Sequence, residues 1–220
     1  IAPALRRVDD AMLAQALPRR QRTGHKGDYG HVLIIGGGEG MPGAVRLAGE
    51  AALRTGSGLV SIATHPAHAA MLVASRPELM PHGVATPAQL EPLLERADVV
   101  AFGPGLGRSE WAQALFDYVA TLALPAVWDA DALNLLADRP AAMEQRVITP
   151  HPGEAARLLG STAAAVQADR PAALDALAQR FGGTVLLKGA GSLVSAGPVP
   201  NLCMAGNPGM GSAGMGDVLT

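Results

Sequence analysis

The residues of this 220-residue chain best suited to chemistry lie near its end, in Asn207-Pro-Gly-Met-Gly-Ser-Ala-Gly-Met-Gly216-Asp217. Glycines at 209, 211, 214 and 216 lead into an apolar helix start, where successive N–H groups form an anion site. A carboxylate beside an anion site is an awkward choice for stability alone. It suits a base that takes a proton from a hydroxyl attacking a phosphoryl group, and Asp217 is the candidate for that base. Lys188-Gly-Ala-Gly-Ser192 follows an apolar run and would place a cation near phosphates while its glycines expose N–H donors. The competing reading is a turn that joins a hairpin to Leu193-Val194.

Other clusters admit two readings each. Asp129-Ala-Asp131-Ala-Leu-Asn134 offers two carboxylates that could orient water or a metal, or a helix N-cap at Asp131. His151-Pro-Gly-Glu154 is either a turn histidine with a carboxylate complementing a helix dipole or part of a ligand site. Gly103-Pro-Gly-Leu-Gly107 permits close backbone approach to a ligand. Gly38-Glu-Gly40-Met-Pro-Gly43 matches a dinucleotide fingerprint on paper. However, the next apolar run ends in Ala63-Thr64-His65 without a ribose-binding acid, and Pro42 stands where a backbone N–H is wanted. A packing turn or another substrate loop are the alternatives. His65 and His68 read as exposed residues at a helix start, and the six histidines show no zinc spacing. No phosphate-binding G-x-x-x-x-G-K-[ST] motif occurs.

These clusters need a scaffold. The runs 31–35, 58–63, 98–102, 125–128, 146–149 and 184–187 read as strands, and 8–17, 44–54, 109–120, 131–137, 153–159 and 163–180 as helices. The alternation predicts an α/β fold, a mostly parallel central sheet with helices on both faces. Ligands of such sheets bind beyond the carboxyl ends of the strands, where the clusters fall. A net charge of −2 and 3% aromatic residues give no case for nucleic acid. A lone Cys203 excludes an internal disulfide and fits a cytoplasmic setting. No apolar run suggests a membrane span. Both lysines, Lys26 and Lys188, stand beside glycines. Residues 1–22 read as a lead-in or linker and 23–220 as one domain, with both ends of the sequence read as cuts.

In residue and order, Lys26-Gly-Asp-Tyr-Gly-His, Gly103-Pro-Gly-Leu-Gly, Asp129-Ala-Asp-Ala-Leu-Asn, Thr149-Pro-His-Pro-Gly-Glu, Leu187-Lys-Gly-Ala-Gly and Gly214-Met-Gly-Asp resemble the ADP/ATP-dependent NAD(P)H-hydrate dehydratases. The resemblance runs from about residue 23 to the end. It implies a ribokinase-like fold and repair of damaged nicotinamide cofactor: the C6 hydroxyl of the S-hydrate is phosphorylated by ADP or ATP, and phosphate is then eliminated to give NADH or NADPH. By resemblance, Asp217 is the catalytic base and touches the hydrate, and the Gly214–Gly216 backbone stabilises phosphoryl charge. Lys188, Gly189, Ala190, Gly191, Ser192 and Gly216 bind the adenine nucleotide, while Ala44, Gly105, Gly107 and His151 bind the hydrate. Glu154 inherits a weak role toward magnesium. The resemblance further implies a homo-oligomer, a C-terminal truncation of the domain, and fusion to an N-terminal epimerase. Two rivals remain: a small-alcohol kinase using the same Asp217, and a non-catalytic nucleotide sensor that needs no base.

Overall fold

The computed structural model describes residues 5–220. Strand β1 (Arg6–Arg7) precedes α1 (Asp10–Ala16), which is capped by the Asp9 carboxylate accepting from Met12 N at 2.9 Å. A 3-10 turn over Lys26–Tyr29 leads into β2 (His31–Ile35), then α2 (Pro42–Thr55), β3 (Leu59–Thr64), α3 (Ala69–Ser75) and β4 (Met80–Gly83). The short α4 (Glu91–Leu94) is followed by β5 (Val99–Phe102), α5 (Glu110–Val119), β6 (Ala126–Trp128), α6 (Asp131–Asp138) and β7 (Arg146–Ile148). Three helices follow: α7 (Pro152–Leu159), α8 (Ala163–Ala168) and α9 (Arg170–Phe181). The chain ends with β8 (Thr184–Leu187), β9 (Ser192–Val194), β10 (Asn201–Cys203) and α10 (Met215–Leu219).

Among the described residues the strands form one sheet, ordered β1-β10-β9-β8-β7-β6-β5-β2-β3-β4. Every pairing from β8 through β4 is parallel; β9 runs antiparallel to both β8 and β10. The expected mostly parallel sheet is therefore present. Successive strand residues point to opposite faces, and the core divides accordingly. Leu33, Ile35, Phe102, Trp128 and Phe181 pack in one buried cluster; Ile34, Val45, Ile62 and Leu79 pack in another. Helices thus cover both faces of the sheet.

Three local departures from the sequence reading have physical causes. Part of the lead-in joins the sheet, since Arg6 and Arg7 pair in parallel with Asn201 and Leu202; residues 1–4 lie outside the described range. The helix expected over 163–180 breaks at Asp169, whose carboxylate caps α9 by accepting from Ala172 N at 3.0 Å. Strands β4, β9 and β10 are short and half-buried, so they carry little of the apolar signal that marks a buried strand. Among the described residues no helix is long and apolar enough to cross a membrane.

Candidate active site

The ends of β6, β7 and β8 bring four charged or titratable side chains together. Asp129 follows β6 and is 2% exposed. Its Oδ1 accepts from Lys188 Nζ at 2.7 Å, and its Oδ2 accepts from Thr220 Oγ1 at 2.9 Å. Lys188, at the end of β8, also lies 3.7 Å from Glu154 Oε2. The turn that delivers Asp129 is strained: Ala130 takes φ 50° and ψ −120°. Non-glycine residues adopt such a conformation only where the surroundings over-determine it, and they cluster at functional sites.

Glu154 and His151 lock the start of α7 reciprocally. His151 Nδ1 accepts from Gly153 N at 3.0 Å, while Glu154 Oε2 accepts from His151 N at 2.8 Å. This is a capping box with histidine in the N-cap place. With Nδ1 accepting, the proton of a neutral ring resides on Nε2. Burial and the Lys188 cation hold His151 below its usual pKa, so the ring is neutral at pH 7. Burial pushes Glu154 up to about 7, against the opposing pull of Lys188.

Helix α10 brings the fifth group. Gly214 opens it in the left-handed conformation at φ 85°, and a Cβ there would stand 2.5 Å from Leu47 Cδ1 of α2. Two residues further on, a Cβ on Gly216 would lie 3.6 Å from Asp129 Oδ2 and 3.7 Å from Lys188 Nζ. The first turn of α10 therefore abuts the ion pair. Asp217 is half-buried, and its carboxyl is raised above the ordinary range by burial first, then by the charges of Asp129 and Asp131, with Lys188 opposing. A half-buried carboxylate of raised pKa is a stronger base than a solvated one.

The other half of the same edge is built from backbone. Gly37 N donates to Pro104 O at 2.9 Å and Gly38 N to Gly105 O at 2.7 Å, so the loops after β2 and β5 interlock. A Cβ on Gly38 would meet Leu106 O at 2.5 Å. Gly105 is buried with φ 55°, and a Cβ there would stand 2.8 Å from the Ala44 Cβ. Gly107 is half-buried and donates its N–H to Asp131 Oδ2 at 2.8 Å.

The sequence profile of the NAD(P)H-hydrate dehydratase family matches residues 32–220. The chain belongs to the NAD(P)H-hydrate dehydratase family. It is 52% identical over 205 residues to a bifunctional NAD(P)H-hydrate repair enzyme of Coxiella burnetii, covering 93% of this chain and 42% of that protein. It is 38% identical over 209 residues to an ADP-dependent (S)-NAD(P)H-hydrate dehydratase of Neisseria meningitidis, covering 91% of this chain and 70% of that protein. A Bacillus subtilis ADP/ATP-dependent NAD(P)H-hydrate dehydratase, co-crystallised with ATP and Mg2+, superposes with a TM-score of 0.87 at 31% identity, covering 100% of this chain and 79% of that one. A ribokinase-like superfamily protein from Enterococcus faecalis superposes with a TM-score of 0.90 at 28% identity. The fold is ribokinase-like.

Within this dehydratase-family scaffold the expected residues fall into three groups. Asp217, Gly216, Lys188 and His151 converge with Asp129 and Glu154 around one point. Ala44, Gly105 and Gly107 line up on the glycine half. Gly189, Ala190 and Gly191 form the turn of the β8–β9 hairpin and Ser192 opens β9, so the hairpin reading holds, and it holds together with the ion pairs of Lys188. Two readings need correction. Asp131 is the first residue of α6, not its cap; Ala130 precedes the helix without a side-chain cap, and Asp131 instead accepts from Gly107. His65 and His68 are half-buried, with His68 Nδ1 3.2 Å from Gly37 O. The Gly38 N–H donates to Gly105 O and is not free to meet a pyrophosphate, which agrees with setting the dinucleotide fingerprint aside.

The structure also adds residues that the sequence reading missed. Arg170 donates to Leu187 O at 3.1 Å and Lys188 O at 3.4 Å, bracing the Lys188 loop. The signal was there in Asp169-Arg-Pro171, a helix-start pattern inside a supposedly continuous helix. Thr220, which fastens α10 to Asp129, gave no signal of its own. Among the described residues no group of three His, Cys, Asp or Glu converges to hold a metal. Glu154 is already engaged with His151 N and Lys188, so these residues do not fit a resident magnesium ion; Mg2+ generally reaches such sites through substrate phosphates.

Proposed function

We propose that this chain dehydrates the S-epimer of NAD(P)H hydrate at the expense of ADP or ATP, with AMP or ADP and phosphate as the other products. The observation that carries the reading is Asp217: a half-buried carboxylate of raised pKa, at the start of a helix whose first turn abuts the Asp129–Lys188 pair. In this reading Asp217 takes the proton of the C6 hydroxyl as that oxygen attacks the terminal phosphoryl group of the nucleotide. The N–H groups at the start of α10 meet the charge developing on the phosphoryl oxygens. Lys188 and the Gly189–Ser192 turn face the nucleotide phosphates. The ring nitrogen of the hydrate then pushes phosphate from C6, and loss of a proton from C5 restores the dihydropyridine. His151 Nε2–H donates toward the hydrate. The names of the Neisseria and Bacillus relatives support this chemistry, and the Bacillus complex supports ATP with Mg2+ as the co-substrate form. The chain spans 42% of the Coxiella protein, which is bifunctional; that supports reading residues 23–220 as the dehydratase unit of a longer repair enzyme with an epimerase.

The test is a product assay with hydrate and ADP or ATP. Reduced nicotinamide absorbance and free phosphate should appear together. A stable phosphorylated product would show a kinase instead. Asp217→Asn should lower kcat by on the order of 10²–10⁴ with an unchanged melting temperature. A variant within threefold of the parent would remove Asp217 from the mechanism and favour a nucleotide sensor.

A further inference from the structure

Beyond Gly107 the glycine half opens on a cavity of about 590 Å³ walled by Met41, His65, Leu106, Arg108 and Trp111. The chain has two tryptophans. Trp128 is core, 1% exposed. Trp111 is half-buried at the cavity wall, pinned by its Nε1–H donating to Val84 O at 2.7 Å. His65 stands edge-on to the Trp111 ring, centroids 5.7 Å apart at 79°. A flat ring system with apolar faces and polar edges matches such a wall.

Position bears on which ring. His65 follows β3 and Asp129 follows β6, three strand steps apart in the order β6-β5-β2-β3. At the usual inter-strand spacing that is about 14 Å. A ring held beside Asp129 and Lys188 would lie that far from His65, and the Lys188–Ser192 turn after β8 is two steps farther away. A second base carried on the same substrate would bridge the gap.

We infer that this cavity binds the distal base of a dinucleotide substrate, the purine stacking on Trp111 beside the His65 ring. The inference rests on the proposed action on a dinucleotide hydrate. It assigns Trp111 and His65 to binding and leaves the chemistry to the Asp217 side.

The experiment compares two hydrates, that of NADH and that of reduced nicotinamide mononucleotide, which lacks the distal adenylate. Trp111→Leu should raise KM for the dinucleotide hydrate roughly tenfold, the scale of one base–aromatic stack. KM for the mononucleotide hydrate, KM for ADP and kcat should stay within about twofold. An equal rise for both hydrates, or none for either, overturns the assignment. If Trp111→Leu does not fold, the unmodified protein still decides. NAD+ should quench its tryptophan fluorescence, nicotinamide mononucleotide should not, and the quench should be missing in Trp111→Phe. Absence of that quench at saturating NAD+ overturns the proposal. If neither hydrate is turned over but NAD+ quenches Trp111, the proposed function fails and the cavity assignment stands. If both hydrates are turned over with equal KM, the function stands and the cavity assignment fails.

Discussion

The two halves of the ligand edge solve the same problem with different materials. Around β2, β3 and β5 the walls are backbone: interlocked glycine loops, their N–H groups paired to each other's carbonyls. Around β6, β7 and β8 the walls are side chains, with Asp129, Lys188, Glu154 and His151 satisfying one another. A backbone wall has a fixed shape and little charge, so it suits the recognition of a substrate's outline. An ionic wall holds charge that a transferring phosphoryl group needs, and its members answer to pH. Asp217 stands between them on α10, which packs on α2 and is fastened to Asp129 through Thr220.

The largest expected break in this comparison lies on the ionic side. Lys188→Met leaves Asp129 and Glu154 without their cation, and removal of one member of a buried pair costs about 3 kcal/mol. The penalty should grow as pH rises through about 7, where Glu154 loses its proton. Below that pH a neutral Glu154 needs no cation. Urea unfolding of both proteins at pH 5.5 and 8.5 (values chosen to bracket that pKa) checks this; a pH-independent loss would mean that Glu154 does not titrate there. On the glycine side, Gly38→Ala forces a Cβ to 2.5 Å from the Leu106 carbonyl oxygen, an overpacking cost of about 2 kcal/mol. Gly43→Ala, five residues on, meets nothing within 4 Å and sits in α2. It should be neutral or stabilise by up to about 1 kcal/mol. Equal effects at the two positions would dissolve the distinction between a packing glycine and an incidental one.

The sequence reading did unequally well on these halves, for physical reasons. Buried parallel strands are continuous apolar runs, so β2, β3, β5 and β8 were legible within about one residue. Lys188 and Asp217 were legible because charge beside glycine is costly without a use. The partner of Lys188 was not, because Asp129 lies 59 positions away and nothing local encodes the pairing. The glycine fingerprint at 38–43 could be set aside from sequence, on Pro42 and the missing acid, but its contact with the 103–107 loop could not be read there. The Gly38 N–H looks free until the 103–107 loop arrives. His151 was flagged for ligand chemistry, whereas its Nδ1 is a helix cap, a role that histidine seldom takes.

That cap makes a sharper experiment possible at His151. Truncation to alanine would remove the cap and the ligand contact together. His151→Asn keeps a strong N-cap, so stability should stay within about 0.5 kcal/mol. The asparagine does not extend to the position of Nε2, so KM for the hydrate should rise up to about tenfold, the worth of one hydrogen bond. KM for ADP should stay. A rise confined to ADP would move His151 from the hydrate to the phosphate side of the comparison.

The smallest effect is a shift in pH dependence, and it decides which carboxylate the rate reports. Asp217 must be ionised to accept a proton, so kcat/KM falls as pH drops through its raised pKa. Glu154, at about 7, could generate the same acid limb by changing the charge around Lys188. Asp129 raises both groups, so Asp129→Asn moves the limb to lower pH in either case. Asp131 acts differently: its charge bears on Asp217 and is not among the influences on Glu154. Asp131→Asn lowers the Asp217 pKa by removing a like charge, so the limb moves down in pH by less than with Asp129→Asn. A weaker base also transfers protons more slowly, so the plateau should fall slightly as the limb moves. If Asp129→Asn shifts the limb and Asp131→Asn leaves it fixed, the titrating group is Glu154, and the pH dependence belongs to the nucleotide half and not to the base.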